Sequence, residues 1–574
     1  MPASVSHPSP HSEGVESHPT MQKALNLQKP GLGTFTGSCV HLPSFHFHAT
    51  KLVYGSLAVA VQVARVSKAL KGFEMQKYSA LLALASIALS PFPSQAQQLR
   101  PGAPGAYSFP TTTPIKHLVV IFDENISFDH YFGTYPNAAN PPGEPIFRAL
   151  PETPVVNGLT TTLLKANPDS AAPFRLDRSE AVTCDNDNHY TDEQKAYNGG
   201  LIDQVSELLS GTGADCTPNL SMGYYDGNTV TALWNYAQHF AMSDNFFGSN
   251  FGTTVMGHLN LISGQTHGAS PASVSGKVVN GSVIANIDAT ADDCSTGTTI
   301  QMTGKNVGDL LNAKSITWGW FYGDWTPTGT SGGKAQCISQ YDDHYDPFQY
   351  YASTANPHHL APSSVRAIGY TDQANHQYAL TDFWNAVSSN NLPAVSFLKA
   401  PANETGHPST SSPLAEQTFL VGTINRLQQS PDWKDMAILI AWDDSDGWYD
   451  HVLAPIVSTS SDPENDALLG PTGLCGTAKS GAYLDRCGYG PRLPFIAISP
   501  FAKQNFVAHS VADQSSILRF IEDNWQLGQI GDQSFDAIAG SIQNLFDFNS
   551  YDGRISERTL ILDPDTGEQV GERP

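Results

Sequence analysis

Short apolar runs alternate with amphipathic segments along most of the chain after residue 114. Residues 118–122 (LVVIF) and 436–442 (MAILIAW) are typical of buried strands, because they are continuously apolar and are bounded by polar residues. Residues 414–429 and 515–525 carry apolar side chains at helical spacing. Buried strands separated by helices predict an α/β fold, with a mainly parallel central sheet and helices on both of its faces.

Stretches of small and turn-forming residues mark the limits of the predicted domain. Residues 97–114 are rich in Pro, Gly and Thr and predict a linker, whereas the polar residues 549–574 predict a C-terminal tail. The domain itself is expected over residues 115–548. Within it, two segments near residues 136–177 and 269–303 have a similar loop-forming composition, which predicts loop and hairpin insertions.

The segment 75–96 has the three parts of a secretory signal peptide. A short basic start is followed by an apolar run over residues 81–89 and by a small-residue cleavage site that ends at Ala96. The apolar run is too short to cross a membrane, so the mature chain is predicted to be periplasmic or secreted and to have no transmembrane segment. Residues 1–74 are then a spurious or disordered extension, although an apolar patch at residues 52–63 favours a real function there.

Cysteine usage agrees with export. An even number of cysteines after the predicted cleavage site predicts disulfides in an exported chain. Pairing of neighbours along the chain is the simplest of the possible connectivities. It joins Cys184 to Cys216, Cys294 to Cys337 and Cys475 to Cys487. The chain has no CxxC motif, which argues against a zinc ribbon or a thioredoxin-like function.

Acidic residues outnumber basic ones. The 54 Asp and Glu residues against 30 Lys and Arg give a formal net charge of −24 at pH 7. This charge argues against a nucleic acid partner and against unaided adsorption to anionic membranes. It suits a protein that binds cations.

Polar clusters follow both of the clearest strands. Asp123, Glu124 and Asn125 come directly after the first, and Asp443 and Asp444 come after the second. Because functional groups gather at the carboxyl ends of strands in an α/β sheet, we expect these clusters to converge. Oxygen ligands without cysteine suit a divalent cation. The alternative is that each cluster caps its own turn; the repetition after two strands favours the cation site.

A pair of hydroxyl residues stands where a loop enters a helix. Thr253 and Thr254 would lie among free backbone N–H groups, which favour a phosphate, although a threonine there also serves as an ordinary N-cap. A metal beside such a hydroxyl indicates phosphoryl chemistry. His258, His344 and His407 are candidates to donate to phosphoryl oxygens or to protonate a leaving group, and each taken alone is also explained as a packed or surface residue.

The motif DENISFDHYFG at residues 123–133 resembles the ENRSFDHYFG signature of the bacterial phospholipase C and acid phosphatase family of phosphoesterases, a branch of the alkaline-phosphatase-like superfamily. The resemblance extends over about residues 115–525. It continues through the segments FGTTVMGHLNLISG, GDLLNAKSITWGWFY, HYDPFQYY, ETGHP, WDDSDGWYDHV, GYGPRLPFIAISPFAK and SSILRFIEDNW.

The resemblance implies a metal-dependent hydrolase of phosphate esters or phospholipids, with one or more divalent metal ions. The metal ligands that it implies are Glu124, Asn125, Asp443 and Asp444. The nucleophile position falls on Thr254, with Thr253 as the fallback, and His407 and His344 match family histidines near the phosphoryl group. Asp123 is then a turn residue or a support for the ligands.

Several positions depart from the family pattern. The departures are Asp444 for Glu, Ser445 for His, Asp446 for Gly, Gly257 for Asn, and Tyr345 and Gln514 for His. They leave two alternatives beside phospholipase C or acid phosphatase activity. One is a sulfatase-like or phosphodiesterase hydrolase, and the other is a catalytically weakened protein of the same fold that binds a cation or a phosphoester.

Overall fold

The computed structural model describes residues 105–213, 216–470, 473–548 and 558–570. The predictions for the extension over residues 1–74 and for the signal peptide over residues 75–96 lie outside the described residues. Among the residues described, no helix combines the length and the apolar character that a membrane crossing requires.

An eight-stranded sheet forms the centre of the fold. Its strands in chain order are β1 His117–Asp123, β2 Ala241–Ser243, β3 Trp318–Tyr322, β4 Gln377–Ala379, β5 Val395–Lys399, β6 Met436–Trp442, β7 Phe495–Ile498 and β8 Phe506–Ala508. They lie side by side in the order β4-β3-β5-β1-β6-β7-β2-β8. All neighbours are parallel except the two pairs that involve β7. The prediction of a mainly parallel sheet is confirmed.

Helices and short strand pairs surround this sheet. The helices are α1 Phe128–Phe132, α2 Thr161–Lys165, α3 Tyr190–Tyr197, α4 Val205–Leu208, α5 Thr231–His239, α6 Thr254–Ser263, α7 Val307–Ala313, α8 Leu380–Ser388, α9 Pro413–Gln428 and α10 Gln514–Trp525. Small ladders pair Phe174–Arg175 with Gly223–Tyr224, Phe246–Phe247 with Ala512–Asp513, Val278–Val279 with Ser282–Val283, and Gly329–Ser331 with Lys334–Gln336. Thr299–Met302 pairs with both Ala269–Ser270 and Asp288–Ala289.

The end of β1 shows that both faces of the sheet are covered. Successive residues of a strand point to opposite faces. The Phe122 ring lies edge-on to the ring of His258 in α6, with 4.9 Å between centroids. The carboxyl group of the next residue, Asp123, lies close to that of Glu416 in α9. Helices α6 and α9 therefore cover opposite faces, as the sequence predicts.

Burial explains why these strands are so apolar. Every residue of β1 and β6 is buried. The register pairs Asp123 of β1 with Trp442 of β6, so both strands end at the same level. The polar residues that follow each strand are therefore brought side by side.

Three disulfides and two peripheral segments complete the domain. The bonds join Cys184 to Cys216, Cys294 to Cys337 and Cys475 to Cys487, and this confirms the neighbour pairing. Of the predicted linker, residues from 105 onward are described, and Thr113 there bonds to Asn524 of α10. In the predicted tail, Leu560 and Leu562 are buried and bond to side chains of α9.

Candidate functional site

The polar clusters that follow β1 and β6 meet at one edge of the sheet. The backbone N–H of Asn125 donates to Asp443 Oδ1 over 2.9 Å, and the N–H of Ile126 donates to the Asp444 carbonyl over 2.9 Å. Asn125 has a φ of +61°, which turns the chain sharply after Glu124. The structure thus brings together the four residues that the sequence proposes as metal ligands.

Each of these four residues has a buried oxygen without a hydrogen-bond partner. The atoms are Glu124 Oε2, Asn125 Oδ1, Asp443 Oδ2 and Asp444 Oδ2. Leaving a buried acceptor unsatisfied costs about 1–3 kcal/mol, so four at one place require an explanation. Carboxylate and amide oxygens are the ligands that hard divalent cations prefer. The donor set present therefore fits a divalent metal ion.

His258 of α6 joins this group. Its Nδ1 lies 2.9 Å from the Thr254 carbonyl, which can only accept, so Nδ1 carries the hydrogen and Nε2 has a free lone pair. Nε2 is buried and unpartnered, and it lies 3.7 Å from Glu124 Oε1. Burial, with the charge of Lys399 added, lowers the pKa of His258 well below its ordinary value. The ring is therefore neutral, and its free nitrogen adds to the donor set that fits a divalent metal ion.

Lys399 is a residue of the site that sequence reasoning missed. It ends β5, the strand beside β1, and is fully buried. Its Nζ donates to Glu124 Oε1 and to the Phe122 carbonyl, the latter over 3.0 Å, and lies 4.4 Å from the centre of the Tyr345 ring. The signal in the sequence is a lysine at the end of a strand that is otherwise uncharged. The ammonium offsets part of the negative charge around Glu124.

Three carboxyl groups at the candidate site have strongly raised pKa values. Burial, followed by the charge of Asp443, raises the pKa of both Glu124 and Asp444 well above the ordinary range. Burial also raises the pKa of Asp123 to about 8, although Lys399 opposes the shift. Buried acids like these take up protons unless a cation compensates them, so cation binding would release protons.

The predicted nucleophile loop lies at the start of α6. Thr253 is the N-cap residue, but its hydroxyl makes no capping bond and is buried without a partner. Thr254 is the first helical residue, and its carbonyl accepts the bond from His258 one turn later. In the structure, therefore, the Thr253 side chain does not cap the helix, which was the alternative interpretation. One helical turn connects Thr254 to His258, whose Nε2 lies 3.7 Å from Glu124 Oε1.

Glu193 of α3, which sequence reasoning also missed, holds this loop in place. Its Oε2 accepts from the Gly252 N–H over 2.9 Å, and its Oε1 accepts from the Ser445 hydroxyl over 2.5 Å. Burial raises the pKa of Glu193 to about 8. Because it contacts both segments, Glu193 couples the position of the nucleophile loop to the end of β6.

The two other predicted histidines lie at the rim. His407 Nδ1 donates to the Pro408 carbonyl over 2.6 Å, so its Nε2 accepts from the Asn125 amide at 3.1 Å. His344 lies between Asp342 and Asp288, at 3.2 and 3.4 Å. Burial opposes protonation of His344, but the carboxylates outweigh it and raise the pKa above the ordinary value.

Several departures from the family pattern have a local physical reason. A Cβ at Gly257 would lie 2.1 Å from the Asp443 carbonyl oxygen, so a larger side chain does not fit. Gln514 donates from its amide to the same carbonyl. Asp446 has a φ of +52° where the family pattern has glycine, and it accepts from the Asn125 amide over 2.9 Å.

Several proteins named phospholipase C are similar in sequence to this chain. The non-hemolytic phospholipase C of Pseudomonas aeruginosa is 26% identical over 446 residues, which are 76% of this chain and 57% of that protein. Phospholipase C A of Mycobacterium tuberculosis is 24% identical over 74% of this chain and 77% of its own length. Non-specific phospholipase C6 of Arabidopsis thaliana is 25% identical over 69% and 63%. The chain thus spans a little over half the length of the Pseudomonas relative.

Similarity to solved structures is weak. A protein in the alkaline phosphatase superfamily from Vibrio parahaemolyticus aligns with 52% of this chain and 62% of its own at 12% identity and a TM-score of 0.25. Murine ectonucleotide pyrophosphatase/phosphodiesterase 5 aligns with 55% and 95% at 12% identity and a TM-score of 0.28. Scores this low support no inference about this chain. The model of the Phosphoesterase family, in contrast, matches residues 115–528, most of the chain, which confirms the resemblance noted in the sequence: the chain belongs to the Phosphoesterase family.

Proposed function

We propose that this protein is an exported, metal-dependent hydrolase of phosphate esters, of the phospholipase C or acid phosphatase type. The observation that carries the proposal is the set of unpartnered buried oxygens on Glu124, Asn125, Asp443 and Asp444, beside His258, which follows Thr254 by one helical turn. Family membership and relatives named phospholipase C support the same activity.

The four oxygen ligands would hold a divalent metal ion, with His258 Nε2 in reach. When bound, this ion supplies positive charge that lowers the pKa of a nearby hydroxyl and offsets charge on phosphoryl oxygens. Lys399 and the backbone N–H of Asn125 orient the carboxylates of Glu124 and Asp443 toward one another. The chain therefore arranges the ligands before the substrate arrives.

Thr254 is the proposed nucleophile. The Thr254 hydroxyl gives its proton to solvent, and its oxygen forms a bond to phosphorus while the bond from phosphorus to the leaving oxygen breaks, which gives a phosphothreonine. The free N–H groups in the first turn of α6 favour the phosphoryl group at this position. His344, which Asp342 and Asp288 keep protonated, donates a proton to the leaving oxygen.

The second step releases the product. His407 has its Nδ1 hydrogen fixed on the Pro408 carbonyl, and its Nε2 accepts from the Asn125 amide. When the attacking water takes the place of that amide, Nε2 serves as its base. The water oxygen forms a bond to phosphorus and gives a proton to His407, while the bond from phosphorus to the Thr254 oxygen breaks. That oxygen takes a proton from solvent and returns to its hydroxyl form. The products are an alcohol and a phosphate or a phosphorylated head group.

The test is hydrolysis of p-nitrophenyl phosphate and of p-nitrophenyl phosphorylcholine by residues 97–574, with and without a chelator. We expect turnover that requires a divalent metal, and loss of about three orders of magnitude or more in Thr254→Ala with unchanged metal content. Thr418→Ala, at an exposed position of α9, is the matched control. A Thr254→Ala rate close to that of the wild type would show the nucleophile to be wrong, and Thr253→Ala then tests the fallback.

The metal ligands and the substrate class are tested separately. Asp443→Asn should lower the bound metal measured by elemental analysis, and unchanged content would remove Asp443 from the ligand set. The ratio of the two hydrolysis rates distinguishes a monoesterase from a phospholipase C. If neither ester is cleaved with any divalent metal, the protein is a binding protein of the same fold. Mass spectrometry of the exported protein tests whether the mature chain begins at Gln97.

A further inference from the structure

A second group of carboxylates lies away from the candidate site, where two loops meet beside the Cys475–Cys487 disulfide. We call Asp462, Asp466 and Asp485 the Asp485 cluster. The carboxyl groups of Asp462 and Asp485 are close enough to interact, and Asp466 acts on Asp485 and is acted on by Asp462. Such contacts between carboxylates are repulsive unless a proton or a cation lies between them.

Hydrogen bonds fix the cluster in place. The Asp462 N–H donates to Asp466 Oδ2 over 2.7 Å, and the Asp485 N–H donates to the Ser460 hydroxyl over 2.7 Å. Asn280 donates its amide to Asp485 Oδ2 over 2.9 Å, and it comes from the hairpin of residues 278–283. Three separate segments therefore meet at these carboxylates.

One oxygen in this arrangement has no partner. Asp485 is completely buried, and its Oδ1 makes no hydrogen bond, although its carboxylate faces that of Asp462. Burial, with Asp462 and Asp466 adding to it, raises the pKa of Asp485 to about 7. The neighbouring Arg486 does not compensate this charge, because its guanidinium donates to the Gly264 and Gln533 carbonyls and lies over the Phe535 ring.

We propose that the Asp485 cluster is a second, structural cation site that binds Ca²⁺ through the carboxylates of Asp462, Asp466 and Asp485. Three hard oxygen donors with a buried, unpartnered oxygen among them suit Ca²⁺, which accepts flexible coordination by carboxylates and water. The partly exposed side chain of Asp462 gives the ion access from solvent.

Tyr190 shows what this site would stabilise. Its hydroxyl donates to Asp466 Oδ1 over 2.7 Å and accepts from the Cys487 N–H over 2.8 Å. Tyr190 begins α3, the helix whose Glu193 holds the nucleophile loop. Bound Ca²⁺ would therefore fasten both loops to the helix that supports the candidate site.

The experiment measures thermal unfolding of the full chain, stripped of metal with a chelator and then titrated with CaCl₂. The variants are Asp462→Asn and Asp485→Asn, which remove cluster carboxylates, and Asp443→Asn, which removes a ligand of the other site. Asp523→Asn, an exposed carboxylate of α10, is the matched control. Isothermal titration with CaCl₂ measures the affinity directly.

We expect Ca²⁺ at a hundredfold excess over its Kd to raise the Tm of wild type, Asp443→Asn and Asp523→Asn by about 3 °C. The shift should fall to about half or less in Asp462→Asn and Asp485→Asn, because binding at least about tenfold weaker leaves Ca²⁺ at no more than about ten times its Kd. Asp462 is partly exposed, so its variant should fold even if Asp485→Asn does not.

Two results would overturn the proposal. In the first, Ca²⁺ leaves the Tm of the wild type unchanged while Asp485→Asn is as stable as the wild type at neutral pH, which means that a shared proton joins the carboxylates. In the second, the Ca²⁺ shift is lost in Asp443→Asn and kept in Asp462→Asn, which assigns it to the other site. Neither result depends on whether the protein hydrolyses phosphate esters.

Discussion

Gly257 is where the packing of the candidate site leaves least room. It lies in α6, directly against the end of β6. A Cβ there would lie 2.1 Å from the Asp443 carbonyl oxygen and 2.7 Å from its carbonyl carbon, whereas ordinary contacts begin at 3.4 Å. Backbone atoms cannot rotate away as a side chain does. Gly257→Ala therefore forces α6 and the Asp443 segment apart by about 1 Å.

Two opposing effects determine how much Gly257→Ala changes the free energy of unfolding. Overpacking of this kind costs about 1–3 kcal/mol. Replacing a helical glycine with alanine returns about 1 kcal/mol through helix propensity. The net loss of stability is then at most about 2 kcal/mol, but a displacement of about 1 Å between Thr254 and the proposed metal ligands should cost about a hundredfold in rate. Activity should fall far more than stability.

Gly422→Ala is the matched control. Gly422 is an exposed glycine of α9, and a Cβ there meets no atom within 4 Å, so this variant should gain about 0.5–1 kcal/mol. The assays are urea unfolding and kcat/KM for p-nitrophenyl phosphate. If Gly257→Ala gains stability as the control does and keeps its rate within about twofold, the close contact between Gly257 and Asp443 is wrong.

Two further predictions concern buried charges. In the presence of a chelator, Lys399→Met should lower the free energy of unfolding by about 3–5 kcal/mol, because it leaves the Glu124 carboxylate buried without its ammonium partner. The double variant with Glu124→Gln should recover most of this loss. A single variant as stable as the wild type would contradict the pairing. The second prediction concerns His451. Burial alone would lower the pKa of His451, but the carboxylate of Asp129 raises it above its ordinary value. Its contribution to stability is complete below the unfolded value of about 6.5 and is lost as pH rises through the folded pKa. Urea unfolding should therefore show that His451→Gln loses less stability than the wild type between pH 6 and about pH 8, and equal losses would refute this account.

The sequence predicts the edge of the sheet where the candidate site forms, because polar residues follow two continuously apolar strands. It does not predict that those strands are neighbours, nor the register that pairs Asp123 with Trp442. Register depends on the packing of both faces and is not encoded in either strand alone. The convergence of Glu124, Asn125, Asp443 and Asp444 therefore rested on the general topology of α/β sheets, and the structure supplies the contacts.

The supporting residues were harder to predict for a different reason. Lys399 and Glu193 act through single contacts with residues far away in the sequence. A charged residue is buried only when a partner compensates it, and no local pattern names that partner. Gln514 is similar, since its amide bonds to the end of β6 from the first turn of α10. Sequence patterns identify groups that follow strands, whereas the groups that orient them depend on tertiary structure.

The central claim is that Thr254 is the nucleophile of a phosphoester hydrolase. It is tested most directly by acid quenching during steady-state hydrolysis of p-nitrophenyl phosphate with divalent metal, followed by digestion and mass spectrometry. The account predicts one phosphoryl group on the peptide that contains Thr254, located on Thr254 by fragmentation and lost from the Thr254→Ala variant. Turnover with no phosphorylated residue, or with the phosphoryl group on Thr253 or on a histidine, would contradict it.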